Sequence, residues 1–507
     1  MEMEFNLVDE PWVPCIRTDG QAEHLGLRDA LTRAHDLREL VGESPLVTAA
    51  LYRLLLAVLH RVFGPGGYDA WYQLQEAGRW DAARLEAYLG KWRGHFNLFD
   101  GEHPFYQAAD DRVKTKPLNS LVLHLAFGNK ATLFDHHTDG EGIALTPAEA
   151  ARAVVAAQSF GLAGLSGLPQ KFTDGTCARG ILFFVQGETL FETLMLNMLR
   201  YPTEEDIIPH YPEDRPAWEM DDPFAPGRSL PLGYLDYLTW QNRRILLIPR
   251  QGPTGIVVRE MTMAPGLRLD SVVVSRDPMK HYRVDKKRGL LVQRFREDRA
   301  LWRDSAALFS MKSDDYRPPR TFQWLAELVE DGCLDVAQTR GYMALGMANN
   351  QARVDFYRTE HMPLPLRYLE NDGLVGRLQD ALKMAEDTRN QLWGAARKLA
   401  TFLLNPQADA EGGRKPAPDD LNRLTDQWAI ERDYWSRLEI PFRRLLEALP
   451  DDVEGTLTRW RDTLQRTAWV AFDRVARDLE HDPRNLKSTV RARDQLAAGL
   501  GKALPKS

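Results

Sequence analysis

Cysteine is scarce: Cys15, Cys177 and Cys333 are the only three in 507 residues. No two of them form a Cys-x-x-Cys pair, which excludes a zinc ribbon and a disulfide framework. The reading is a cytosolic (cytoplasmic) protein with reduced thiols. No run of about 18 apolar residues reads as a bilayer span, so no membrane partner is expected. The opening MEMEFNLVDEPW has neither a basic n-region nor an apolar h-region, so it does not read as a secretory signal. Catalytic signatures are missing as well. There is no G-x-x-x-x-G-K-[ST], no H-E-x-x-H and no G-x-S-x-G, which removes phosphate-loop, zincin and nucleophile-elbow chemistry. Phe160-Gly161-Leu162-Ala163-Gly164 is glycine-rich but follows a helix, the wrong context for a dinucleotide site. Nor is positive charge in excess. A net charge of −7 excludes a protein that coats nucleic acid with its whole surface, and leaves a local basic face open.

What remains is ordinary globular composition, 44% hydrophobic and 27% charged, with length for two to four domains. FNLVDEPWVPCIR reads as a short edge strand interrupted by Pro11 and Pro14. SPLVTAALYRLLLAVLHRVF is apolar at helical spacing, with Pro45 suited to a first turn. Thr146-Pro147-Ala148-Glu149 is a capping box that starts a helix. ILFFVQG is a strand. RRILLIPR, GIVVREMTM and SVVVSRD are strand-like and predict a small antiparallel sheet between about 240 and 300. From about residue 374 the chain turns helical, and four helical stretches with short connections predict an antiparallel bundle. The expected class is α+β: a large mixed N-terminal globular domain with small antiparallel sheets over 1–365, then a C-terminal four-helix bundle over 366–507.

Three constellations carry chemistry. ALGMANNQARVDFY places Asn349, Asn350 and Gln351 in a row between apolar flanks. Side-chain amides donate and accept, which suits them to base edges; the local sequence by itself reads first as a polar turn between two buried segments. From Arg276 to Arg299 cations outnumber acids. A hairpin with Lys286-Lys287-Arg288-Gly289 at its turn, and Lys280 before it, would present cations to phosphates, or simply be a solvated turn. Asp135-His136-His137 with Glu141 offers metal-ligand types in a loop, without a second ligand pair at helical spacing.

In order and spacing these segments resemble the large subunit (CasA-type) family of the type I-E CRISPR surveillance complex, Cascade. The similarity runs over nearly the whole chain. It rests on FNLVDEPWVP, FNLFDGEHPFYQ with its His-Pro-Phe-x-Gln, GNKATLFDHH ahead of a helix and a glycine loop, ETLMLNMLRYPT, the paired lysines 286–287, Asn349-Asn350-Gln351-Ala352 and the closing helices. The resemblance implies a non-catalytic subunit that reads the protospacer-adjacent motif in duplex DNA from the minor groove. It implies Gln351 as a wedge that helps split the duplex, with Asn350 and Ala352 beside it, and a glycine loop from Gly161 to Gly164 against the groove. Ala163 stands among the glycines and Leu165 follows, so a Cβ enters where the family places glycine. Phe134, Asp135 and His136 would contact the motif or the base of the complex. The family's minor-groove lysine has no clean counterpart, and Arg268 is the nearest cation. Lys280, Lys286, Lys287 and Arg288 would touch the DNA backbone. No cysteines cluster near 240–260, so no zinc or other cofactor is expected. The implied partners are double-stranded target DNA, the CRISPR RNA-containing Cascade subunits (backbone, small and 5′-end subunits) and the helicase-nuclease effector. Two other readings stay open: a metal-dependent hydrolase using the 135–141 loop, and a purely architectural subunit.

Overall fold

Pro45 opens the first long helix, Pro45–Phe63, where a missing N–H costs nothing, and the Ser44 side chain accepts from the Val47 N–H to cap it. This computed structural model describes residues 3–123, 143–202, 208–225, 227–253, 255–274, 276–350, 353–408, 414–480 and 482–504. The helix corrects one sequence expectation. It is long and apolar enough to cross a bilayer, with a mean hydropathy of 1.6, and 89% of that window is buried inside the fold. A helix apolar around its whole circumference is what a central core position demands. It packs against a second helix, Pro147–Phe160. There the capping box forms as expected: Thr146 Oγ1 accepts from the Glu149 N–H and Glu149 Oε2 accepts from the Thr146 N–H.

Among the described residues the strands form four three-stranded sheets. In chain order they are β1 (Val13–Arg17), β2 (Ala22–Leu25), β3 (Leu37–Leu40), β4 (Lys116–Pro117), β5 (Ile181–Gln186), β6 (Arg243–Gly252), β7 (Gly255–Pro265), β8 (Tyr282–Asp285), β9 (Gly289–Val292), β10 (Tyr316–Arg317), β11 (Thr339–Asn350) and β12 (Arg353–Pro365). The sheets run β2-β1-β3, β4-β7-β6, β10-β8-β9 and β12-β11-β5. β1 is therefore central and not an edge strand. Pro14 is tolerated there because its carbonyl still accepts from the Val41 N–H at 3.1 Å. RRILLIPR and GIVVREMTM pair as the β6–β7 hairpin, but SVVV does not join them. Ser271–Val274 is a single helical turn, because Asp270 Oδ1 accepts from the Val272 N–H at 2.9 Å and so caps it.

The chain divides into two compact units, 1–296 with 311–336 and 340–361, and 297–310 with 337–339 and 362–507. The second is helical. Helices Asp372–Leu404, Val453–Glu480 and Pro483–Ala503 pack together with a broken run, Pro418–Trp428, Ile430–Ser436 and Glu439–Ala448. The sequence reading made that run one helix. It breaks at Ala429, whose φ is +48°, and again ahead of Pro441 in the first turn of the last piece. Aromatic anchors fix the unit: Trp460 Nε1 donates to the Ala381 carbonyl at 2.9 Å, and the Tyr434 hydroxyl to that of Ala385 at 3.0 Å. The α+β class, with small antiparallel sheets ahead of a helical C-terminal region, holds.

Candidate nucleic-acid interface

The glycine loop leaves the helix Pro147–Phe160 at Gly161 and returns at Gly175. At its neck, Gly164 and Phe172 exchange two backbone hydrogen bonds, 3.2 and 3.0 Å. Beneath the neck lies Arg243, the first residue of β6. Its Nη2 donates to the Leu162 carbonyl at 2.7 Å, its Nη1 to the Thr173 carbonyl at 2.8 Å, and its guanidinium lies 4.7 Å from the Phe172 ring centre. Burial pulls the Arg243 pKa down to about 10, with Asp174 opposing, so it keeps its charge at neutral pH. Gly161 has to be glycine here. A Cβ would meet the Ala157 carbonyl at 2.7 Å and Arg243 Nη2 at 2.9 Å. The Ala163 N–H donates to Asp174 Oδ1 at 2.8 Å.

The same β6 segment carries the approach to Arg268. The Gly266 and Leu267 N–H groups donate to the Asn242 and Gln241 carbonyls, both at 3.0 Å, and Asn242 Nδ2 donates to Thr173 Oγ1 at 2.9 Å. Arg268 follows, exposed. The fold thus joins the glycine loop and Arg268 to one strand start.

The stretch after the loop, 175–182, meets both the cationic hairpin and the strand that runs on toward the amides. The Ile181 N–H donates to the Gln293 carbonyl at 3.1 Å, just beyond β9, and Gly180 packs so closely on Val292 that a Cβ would lie 2.2 Å from Cγ2. This seats the β8–β9 hairpin. In its turn, Asp285 Oδ1 accepts from the Lys287 and Arg288 N–H groups, each at 2.9 Å, and Gly289 takes φ +75°. Lys286, Lys287 and Arg288 are exposed, as are Arg283 and Arg294. On the other side β5 pairs with β11 from Gly341↔Gln186 to Gly346↔Ile181. β11 then continues through Met347, Ala348, Asn349 and Asn350 beyond the paired stretch, roughly 13 Å of strand. β11 and β12 are neighbours in that sheet and pair antiparallel, because parallel neighbours need a far longer connection. From sequence the run of amides reads as base-edge groups or a polar turn, and Asn is disfavoured in strands. Asn349 and Asn350 nevertheless end β11, past its last β5 pair at Gly346, in a sheet whose other neighbour of β11 is β12, so tertiary pairing overrides local preference.

Lys280 departs from the sequence expectation. It is 2% exposed, its Nζ donates to the Thr176 carbonyl at 2.6 Å, and it sits 3.9 Å from the Asp277 carboxylate. Burial depresses its pKa, with Asp277 opposing. Asp277 is itself held by Arg53 Nη1 at 3.0 Å and by the Tyr237 hydroxyl at 2.8 Å. Lys280 is thus an internal tie beneath the hairpin and no backbone contact for DNA.

Gln351 and Ala352, and the loop with Phe134, Asp135, His136, His137 and Glu141, lie outside the described residues. Among the described residues no group of three or more His, Cys, Asp or Glu is placed to hold a metal. The His-Pro-Phe-x-Gln motif has a structural role here. Gln107 Nε2 donates to the Leu98 carbonyl at 2.7 Å and its Oε1 accepts from the Leu247 N–H at 2.8 Å, tying that loop to β6.

Sequence reasoning missed Arg243 and the cations around the loop. Arg112 Nη1 donates to Gln170 Oε1 at 3.4 Å, Lys116 Nζ lies 6.0 Å from the Phe172 ring centre, and Lys171 is exposed. One signal was available. Gln158 is a lone amide in the Ala/Val-rich helix 147–160, and it pairs with both the N–H and the carbonyl of Arg243 at 2.8 Å.

A sequence model of the family described as CRISPR-associated protein Cse1 matches residues 6–471. The CRISPR-associated protein CasA/Cse1 of Thermus thermophilus is 33% identical, over 98% of this chain and 97% of that protein. The crystal structure of Cse1 from Acidimicrobium ferrooxidans matches with a TM-score of 0.84 at 26% identity, covering 99% of each chain. A chain of a CRISPR RNA-guided surveillance complex matches in fold, with a TM-score of 0.76 at 23% identity over 98% of this chain and all of that one.

Proposed function

This chain belongs to the Cse1 (CasA) family of CRISPR-associated proteins, and on that premise we propose that it is the non-catalytic large subunit of a CRISPR RNA-guided Cascade complex that reads a short motif in duplex DNA. The glycine loop, Gly161 to Gly164, lies against the minor groove with Arg268 nearby. Lys286, Lys287 and Arg288 grip phosphates. Gln351, flanked by Asn350 and Ala352, enters the stack and keeps the first opened base pairs apart. Phe134, Asp135 and His136 contact the motif region or the base of the complex. The guide-RNA-bearing subunits then receive the opened strand, and the helicase-nuclease is recruited to it.

The observation that supports this reading best is convergence. One short segment, 175–182, carries the end of the glycine loop, the seat of the cationic hairpin and the ladder that β11 extends toward the amides. A minor-groove reader tolerates several motif sequences, because that groove separates A·T from G·C and little else. Opening the first steps costs about 1.4 kcal/mol each, within reach of a few inserted contacts.

The test uses the complex reconstituted with its guide RNA. Gln351→Ala should slow strand opening, read by a fluorescent base in the target, more than it weakens initial duplex binding. Unchanged opening refutes the wedge.

A further inference from the structure

Leu165 is the most exposed large apolar side chain among the described residues, at 85%, ahead of Ile440 at 64%. A lone exposed leucine is normal on a protein surface. Leu165 is unusual in what holds it out. It follows Gly164, whose two backbone bonds with Phe172 close the neck of the loop. Below the neck, Arg243 clamps the Leu162 and Thr173 carbonyls. Above it, the tip is wired to itself. The Ser166 hydroxyl accepts from the Leu168 N–H at 3.0 Å and donates to the Gln170 carbonyl. A closed neck and a braced tip leave this side chain pointing away from the fold.

The surroundings are charged for nucleic acid. Lys171 is exposed on the same loop, Arg112 reaches Gln170 and Lys116 lies by Phe172. Two of the acids nearby are paired within the fold, Asp110 with Arg112 at 2.6 Å and Asp174 with Arg179 at 2.7 Å, which leaves Lys171 as the exposed cation on the loop itself. An apolar tip on a loop that also carries an exposed lysine suits a groove whose walls are phosphate and whose floor is stacked base pairs.

We propose that Leu165 is an apolar wedge that enters the minor groove and partly unstacks one base step of the motif. Minor-groove proteins insert leucine in this way, giving up stacking to bend the duplex and bury more surface. The step most easily wedged is a flexible pyrimidine–purine one. The inference rests on the reading that the glycine loop faces duplex DNA. It assigns Leu165 to reading the closed duplex, a stage before any opening by Gln351.

The experiment uses the assembled, guide-loaded complex with Leu165→Ala and, as a control on the reading itself, Lys286→Ala/Lys287→Ala. The target carries 2-aminopurine at successive steps of the motif. Leu165→Ala should bind the intact duplex roughly tenfold more weakly and lose the fluorescence rise at one step. On a target mismatched at that step the deficit should shrink, because the unstacking is already done. Its dependence on salt should match wild type, since the substitution removes no cation. An unchanged melting temperature excludes misfolding. Wild-type affinity and fluorescence for Leu165→Ala, with weakened binding by the lysine pair, overturns the wedge and leaves the DNA reading standing. Wild-type binding by both variants overturns the two together.

Discussion

Arg243 donates from Nη2 to the carbonyl of Leu162 at 2.7 Å, across 81 residues of chain. With its second bond to Thr173 it pins both arms of the glycine loop to the start of β6. Arg243→Met should strip two carbonyls of their donor and cost about 3 kcal/mol. Arg243→Lys should recover little, because an ammonium cannot span both arms as the planar fork does. Urea midpoints check both. A methionine variant with a wild-type midpoint would show that the loop is held by something else.

Lys280 separates stability from DNA contact. Its Nζ serves Thr176 inside the fold, so Lys280→Met should lower stability by about 2–3 kcal/mol through an unsatisfied carbonyl and a weakened buried charge pair. The slope of log affinity against log salt should stay at the wild-type value. A shallower slope in a normally folded variant would restore Lys280 as a phosphate contact.

These two residues also mark where sequence legibility ends. Local rules carried the Thr146 capping box, the Ser44-Pro45 start and the Asp285-to-Gly289 turn, each decided within four residues. Lys280 sits in a run of cations that reads as surface. It faces inward because Asp277 is captured by Arg53, 224 residues away. Arg243 looked like the start of a strand, and nothing local announces partners in a loop 70 and 81 residues earlier. SVVV has strand composition, but Asp270 caps it into a turn of helix. The amides show the opposite override: Asn349 and Asn350 end β11, a strand flanked in its sheet by β5 and β12.

The β8–β9 turn carries exposed cations on a backbone held by Asp285. Replacing Lys286, Lys287 and Arg288 with alanine should leave stability within about 0.5 kcal/mol of wild type. In the assembled complex the salt slope should fall by about 0.9 for each phosphate that is no longer neutralised. Asp285→Ala, which keeps all three charges but frees the Lys287 and Arg288 N–H groups, should weaken binding less than the triple change. Titration of duplex binding between 50 and 200 mM salt, roughly the range over which such interactions are screened, measures both. A triple variant with the wild-type slope would move the phosphate grip elsewhere.

His60 gives the fold a pH dependence of known sign. It is buried in the helix Pro45–Phe63, its Nδ1 bonds the Leu56 carbonyl at 2.8 Å, and the Tyr234 ring stands edge-on 5.1 Å away. Burial pulls its pKa down from 6.5 to about 4. The unfolded chain therefore takes up this proton at higher pH than the folded one. The stability His60 protects is fully present above pH 6.5 and is lost as pH falls through 4, amounting to about 3 kcal/mol. His60→Leu has no proton to take up. The stability difference between wild type and this variant, measured by urea unfolding, should therefore shift toward the variant as pH drops from 7 to 4. A difference that stays constant across that range would mean the imidazole titrates alike in the folded and unfolded chains, and that burial does not hold it neutral.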